Sequence, residues 1–394
     1  MKKPFAPWAC VVGVLLGLVG CAKGAGQEAA GADPNSSQPA ARPAHEVLCT
    51  EGNAKLMEAL RAGGAAAGLF QEACDRYERA TALKPDYYQA YCNWGLTLLS
   101  WASLPQADTE KLLLQASERF RKATEVKPDG YEAYNYWAAV LLSLASRPGA
   151  DAGAYYRQAG EKYAMSAQIK PDSAETFNNW GLTLIRSATV SRDKAAELYR
   201  QAGDRFAKAV ELRPDHGQAY GSWGTALYGL AMEGGADAET HYRQACEKYK
   251  KAAELSPDAA EVFHNWGTAL SDWARRGGPM AGTLYEEASA KFARAAEIDP
   301  NDQQVYGNWG MALIDWACLG GSAGEALFQQ GYKTLNRAVA LGPNEPAIHS
   351  TMGRCLLKRA RARRQDAQTR QESIRAATQV LMRSESLRPG AGAY

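Results

Sequence analysis

Residues 260–274 read AEVFHNWGTALSDWA, a stretch that contains a Phe, a His, an Asn and two Trp. Its first tryptophan, Trp266, lies 43 residues after Trp223 and 43 residues before Trp309. The same interval separates a longer tryptophan series and a proline series: Trp94, Trp137, Trp180, Trp223, Trp266 and Trp309, and Pro85, Pro128, Pro171, Pro214, Pro257, Pro300 and Pro343. A constant period of this length indicates stacked supersecondary units. We therefore expect Trp266, Phe263 and Trp273 to pack in the core.

One period, residues 86–128, contains two apolar stripes of helical spacing. The first stripe is Tyr91, Trp94, Leu98 and Trp101, and the second is Leu113, Ala116, Phe120 and Ala123. A turn at 103–107 separates them, and in other periods this turn is rich in glycine. Each period is thus predicted to be two antiparallel helices. The Asp or Asn that follows each proline is predicted to cap the next helix.

The second helix resembles that of the tetratricopeptide repeat. Ala116, Phe120, Ala123 and Pro128 have the A-x3-F-x2-A-x4-P spacing of that family, and Tyr91, Trp94, Gly95 and Leu98 match its first helix. The period is 43 residues here, against about 34 in the family, so both helices are longer. The resemblance implies an all-α fold, a right-handed α-solenoid of eight helix pairs over residues 46–394. The repeats end near 85, 128, 171, 214, 257, 300, 343 and 389, and the first has Glu51 in place of Trp.

The N-terminus has the pattern of an export signal. Lys2 and Lys3 precede a short apolar run, and residues 18–21, LVGC, resemble the lipobox of bacterial lipoproteins. The resemblance implies that residues 1–20 are a signal peptide and that Cys21 carries lipid. Residues 21–45 are rich in Ala, Gly and Pro, which predicts a flexible linker. We expect a bacterial cell-envelope protein that is anchored by lipid and faces the periplasm. No Asp follows the cysteine, and under the enterobacterial sorting rule for lipoproteins this favours the outer membrane.

Composition and motifs argue against nucleic-acid binding and catalysis. The formal net charge is +2, and the body of the chain is mildly acidic apart from a basic run after Arg354. The five histidines fall at scattered positions, without metal-binding spacing or a nucleophile motif. We expect no enzyme, and hence no catalytic residue, metal site or cofactor. Buried free thiols are the favoured interpretation of the cysteines, with a Cys74–Cys92 disulfide as the alternative.

The residue before each repeated tryptophan is polar, and four of these residues are Asn93, Asn179, Asn265 and Asn308. In the resembled family this position lies on the concave face, where Asn binds the backbone of an extended peptide. An amide suits that role because it offers both a donor and an acceptor. The alternatives are a solvated position or a hydrogen bond to a neighbouring helix. Asp272 and Asp315, further along the same face, would make it mildly acidic.

These patterns favour a lipid-anchored scaffold that binds a protein or peptide segment in its concave groove, and we expect it to act in envelope assembly. The membrane is then contacted only through the N-terminal lipid. Two alternatives remain open at this point: a structural envelope protein that associates with itself, and a carrier of a small hydrophobic ligand.

Overall fold

The computed structural model describes residues 42–361 and 367–387. The predicted signal peptide, Cys21 and most of the predicted linker lie outside the described residues. The described part consists of α-helices, two short 3-10 turns and connecting loops, without a β-strand. The prediction of an all-α solenoid of helix pairs is therefore confirmed.

The chain divides into two units between Leu212 and Arg213. The helices of the first unit are α1 (Ala44–Ala62), α2 (Ala67–Leu83), α3 (Tyr88–Trp101), α4 (Thr109–Val126), α5 (Tyr131–Ala145), α6 (Ala152–Ile169), α7 (Ala174–Val190) and α8 (Ala195–Leu212). Those of the second unit are α9 (Gly217–Glu233), α10 (Ala238–Leu255), α11 (Ala260–Arg275), α12 (Ala281–Ile298), α13 (Gln303–Cys318), α14 (Gly324–Leu341), α15 (Pro346–Arg361) and α16 (Ala367–Ser386). Consecutive helices pack as pairs, which we number 1 to 8 in chain order.

A small residue allows the two helices of a pair to approach closely. Phe206 of α8 lies so near Gly181 of α7 that a Cβ built on the glycine would be 2.7 Å from the ring. Gly95 and Phe120 repeat this contact in pair 2, also at 2.7 Å. Contacts this short leave no room for a methyl group. The repeated glycine is therefore a packing requirement, as the sequence pattern predicts.

The expectation that the Asp or Asn after each proline caps the next helix is wrong. Asp86 lies within a tight turn in which the Tyr87 amide donates to the Lys84 carbonyl at 3.1 Å, so Pro85 and Asp86 are the central residues of that turn. The N-cap position falls one residue later in the repeat. Ser173 and Asp302 occupy that later position and accept hydrogen bonds from Thr176 and Gln304 amides.

Within each unit, repeated tryptophans lie between the second helices of neighbouring pairs. In pair 3, the Trp137 Nε1 donates to Ser117 Oγ of the preceding second helix at 2.7 Å. A cation from the second helix of the same pair covers the ring. This contact recurs in five pairs with a separation of 25 residues and distances to the ring centroid of 3.7–4.0 Å: Arg119 over Trp94, Lys162 over Trp137, Arg205 over Trp180, Lys248 over Trp223 and Lys291 over Trp266.

The residues of the opening stretch pack as expected. Phe263, Trp266 and Trp273 are partly buried and pack against the core cluster of α12 and its neighbours. The six cysteines of the described residues are free, so the alternative of a Cys74–Cys92 disulfide is not realised. Cys49, Cys74, Cys92 and Cys355 are buried, Cys246 is partly buried, and Cys318 is exposed.

Candidate functional site: the first-helix face

The first helices of neighbouring pairs contact each other within each unit, as α1 does with α3 and α13 with α15. We define the first-helix face as the surface of these helices around the residue that precedes each repeated tryptophan. The four predicted asparagines lie on this face, Asn93 and Asn179 in the first unit and Asn265 and Asn308 in the second.

Asn93 bridges two first helices. Its side chain is 4% exposed, and its Nδ2 donates to Oδ1 of Asn53 on α1 at 2.8 Å. Asn53 Oδ1 also accepts the Tyr77 hydroxyl at 2.8 Å. The Asn93 amide is therefore used inside the protein, in the inter-helix contact that the sequence left as an alternative. This contact joins the first helices of pairs 1 and 2.

Asn308 makes the equivalent contact in the second unit. Its Nδ2 lies 2.8 Å from Nε2 of His264 on α11. Burial lowers the pKa of His264 below its ordinary value, and Asp302 partly opposes this effect. A neutral imidazole with its proton on Nδ1 accepts the Asn308 N–H at Nε2. His264 therefore has a structural partner, which its sequence position alone did not reveal.

Asn179 and Asn265 are placed differently. Both side chains are partly buried. Asn179 Oδ1 accepts only a long contact of 3.4 Å from Asn178 Nδ2, and no hydrogen bond joins the Asn265 amide to another described residue. Nothing in the structure tests peptide binding by the four asparagines, which stays a prediction. The structure does separate two bridging amides from two that keep their hydrogen-bonding groups available.

A charged network crosses the first-helix face of the second unit. Asp315 on α13 is 6% exposed and contacts Arg275 Nε of α11 at 3.0 Å and Lys358 Nζ of α15. Asp272 contacts Arg275 and accepts the Tyr228 hydroxyl of α9. Each carboxylate thus has a cation, so these residues do not make the face acidic as the sequence suggested. The partners were missed because they lie in other repeats, 40 to 44 residues away.

Part of the basic run after Arg354 is also engaged within the protein. Arg359 pairs with Glu325 at 2.8 Å and its guanidinium lies 4.1 Å from the Phe328 ring centroid. Over the described ranges, no group of three His, Cys, Asp or Glu side chains is arranged to hold a metal ion. The same ranges contain no helix with the length and apolar character needed to cross a membrane.

Comparison with known proteins gives similar structures only. No family model and no curated protein matches the chain. The structural neighbours of this chain are tetratricopeptide repeat proteins. The YrrB protein, whose structure has an unusual peptide-binding site, is 21% identical, with a TM-score of 0.38, and the match covers 58% of this chain and 94% of YrrB.

Two further neighbours cover more of the chain. PilF of Pseudomonas aeruginosa is 19% identical, with a TM-score of 0.43 and coverage of 65% of this chain and 92% of PilF. A tetratricopeptide repeat protein of Parabacteroides merdae is 11% identical, with a TM-score of 0.48 and coverage of 85% and 99%. These likenesses concern the fold.

Proposed function

We propose that the protein is a lipid-anchored scaffold of the bacterial cell envelope that binds an extended protein segment on its first-helix face. The observation that carries this proposal is the Asn265 amide. It occupies the repeat position of Asn93 and Asn308, yet it forms none of their inter-helix bonds. A free amide of this kind can donate to and accept from one peptide unit.

The stiffness of the surface also supports binding. Asn93 and Asn308 hold neighbouring first helices together, and Asp315 links three of them in the second unit. A surface fixed in this way loses little conformational entropy on binding. Most of the ordering cost then falls on the partner segment.

The asparagines themselves provide a matched test. Peptides selected from a random-sequence library against the protein would be measured by fluorescence anisotropy. The variant Asn265→Ala is expected to lose about fivefold in affinity, the weight of one hydrogen bond, with an unchanged melting temperature. The variant Asn93→Ala, Asn308→Ala is expected to melt at a lower temperature because it loses inter-helix bonds. Equal affinity of the first variant and the parent would contradict the proposal.

Lipid attachment is tested separately. Radiolabelled palmitate is expected to enter the protein in a bacterial host, and Cys21→Ala should abolish the label and release the protein from the membrane fraction. Fractionation of the inner and outer membranes would then test the proposed outer-membrane site. Labelling that persists in Cys21→Ala would contradict the proposed anchor while leaving peptide binding untouched.

A further inference from the structure

Two tryptophans in equivalent positions of different pairs are anchored identically. Trp137 in pair 3 donates from Nε1 to Ser117, and Trp309 in pair 7 donates to Ser289, both at 2.7 Å. Each serine lies on the second helix of the preceding pair. Each indole is therefore held in the same way against the second helix of the preceding pair.

The two rings differ in what covers them. Lys162 Nζ lies 4.0 Å from the Trp137 ring centroid, and four other repeated tryptophans have a cation at 3.7–4.0 Å. The corresponding residue of pair 7 is Thr334. Its side chain is short, its residue is 9% exposed, and its hydroxyl donates to the Gln330 carbonyl at 2.8 Å. A threonine cannot supply the missing charge.

The surrounding groups do not replace the cation. Arg337 on α14 lies over Tyr306 instead, 5.8 Å from its centroid. Tyr306 in turn stacks beside Trp309, with centroids 6.5 Å apart and an interplanar angle of 27°. Within the described ranges, Trp309 alone among the six repeated tryptophans has no cation over its ring.

We propose that Trp309 binds the guanidinium or ammonium group of an Arg or Lys side chain of a protein partner. Five equivalent rings in the same chain show which chemistry this position accepts. The π-face of an indole attracts a cation through its quadrupole, and Ser289 holds the ring in the orientation that Trp137 presents to Lys162. The partner's basic side chain takes the place that Lys162 occupies in pair 3. This inference rests on the proposed function, since it presupposes a protein partner.

The indole Nε1–H resonances of the protein provide the test, since the capped tryptophans serve as internal controls. Nα-acetylarginine amide, whose only charge is the guanidinium, would be titrated at constant ionic strength, with the neutral analogue Nα-acetylcitrulline amide in parallel. We expect the Trp309 resonance, assigned by its loss in Trp309→Phe, to move about two- to fivefold more than the capped resonances, given the strength of an exposed cation–π contact. Nα-acetylcitrulline amide should not reproduce the difference.

Reciprocal variants make the result specific. Thr334→Lys should cap Trp309 from within and abolish its response, and Lys162→Thr should make Trp137 respond. Equal movement of all six resonances, equal effects of the two amides, or a response that survives Thr334→Lys would each overturn the proposal. Because these readouts do not involve the asparagines, their failure is distinguishable from failure of peptide binding on the first-helix face.

Discussion

Glu51 and Arg76 form an ion pair, 2.9 Å between Oε2 and Nε, at the two positions that Trp94 and Arg119 occupy in the next pair. The separation is 25 residues in both cases. In pair 2, Trp94 packs beside α2 of the preceding pair, where Cys74 lies near its indole. The described chain has no helix pair before pair 1. The Glu51 side chain is about half exposed, so its carboxylate meets water at a position where an indole would expose apolar surface.

The cations over the tryptophans should contribute to stability. Arg205→Ala is expected to lower the free energy of unfolding by about 1–2 kcal/mol, because it removes a partly buried cation–π contact with Trp180. Lys208→Ala, three residues further along α8, is the control. Its ion pair with Glu211 is exposed, so the change should stay below about 0.5 kcal/mol. Urea unfolding followed by circular dichroism would measure both, and equal losses would contradict a specific role for Arg205.

Alanine substitutions at two glycines should change the stability of the protein in opposite directions. Gly181→Ala places a methyl group 2.7 Å from Phe206, and is expected to cost about 1–3 kcal/mol through overpacking. Gly307 lies inside α13, and no atom beyond its own stretch of helix would be within 4 Å of the new methyl. Gly307→Ala should therefore stabilise the helix by about 0.5–1 kcal/mol. Thermal unfolding of the two variants would check this. If both variants were more stable than the parent, the two helices of pair 4 would be able to move apart without losing stability.

Asp315 should be more important for stability than a surface carboxylate. Asp315→Asn leaves Arg275 and Lys358 without their shared counter-ion. Because both cations are 42–45% exposed, solvent screening limits the expected loss to about 1–2 kcal/mol. Glu297→Gln removes the exposed partner of Arg294 and should have almost no effect. Urea unfolding at low and at high salt would distinguish the effects of the two variants. An Asp315→Asn variant as stable as the parent would show that the network is not stabilising.

Cysteine reactivity should follow burial. Burial raises the pKa of the Cys74, Cys246 and Cys355 thiols to about 12. Since the thiolate is the nucleophile, these thiols should react slowly with N-ethylmaleimide near neutral pH. The exposed Cys318 should react first among the six described cysteines. Peptide mapping by mass spectrometry over time would give the order. Early labelling of Cys355 would contradict its burial between α15 and its neighbours.

Much of the fold could be predicted from the period. The tryptophan, glycine and proline series fix the number, pairing and approximate ends of the helices, because each repeat must make the same contacts. The contacts between repeats could not be read in this way. Asn93 meets Asn53 and Asn308 meets His264 across 40 and 44 residues, and each pair combines side chains that vary from repeat to repeat. The same asparagine position is therefore buried in one pair and partly open in another, which a periodic pattern does not distinguish.

His264 should make stability depend on pH. Its pKa in the folded protein lies below the ordinary 6.5 because of burial, so the unfolded chain binds the proton more tightly. Stability should therefore be fully present above pH 6.5 and should fall as the pH drops through that value toward the folded pKa. Protonation would also place an N–H of His264 opposite the N–H group of Asn308 Nδ2. Since both are donors, the Asn308 amide would have to rotate or move away from the imidazole. His264→Asn, the residue found at this position in pairs 3 and 4, should reduce the pH dependence of urea unfolding between pH 7 and pH 5. An identical pH dependence in the variant would exclude His264 as its source.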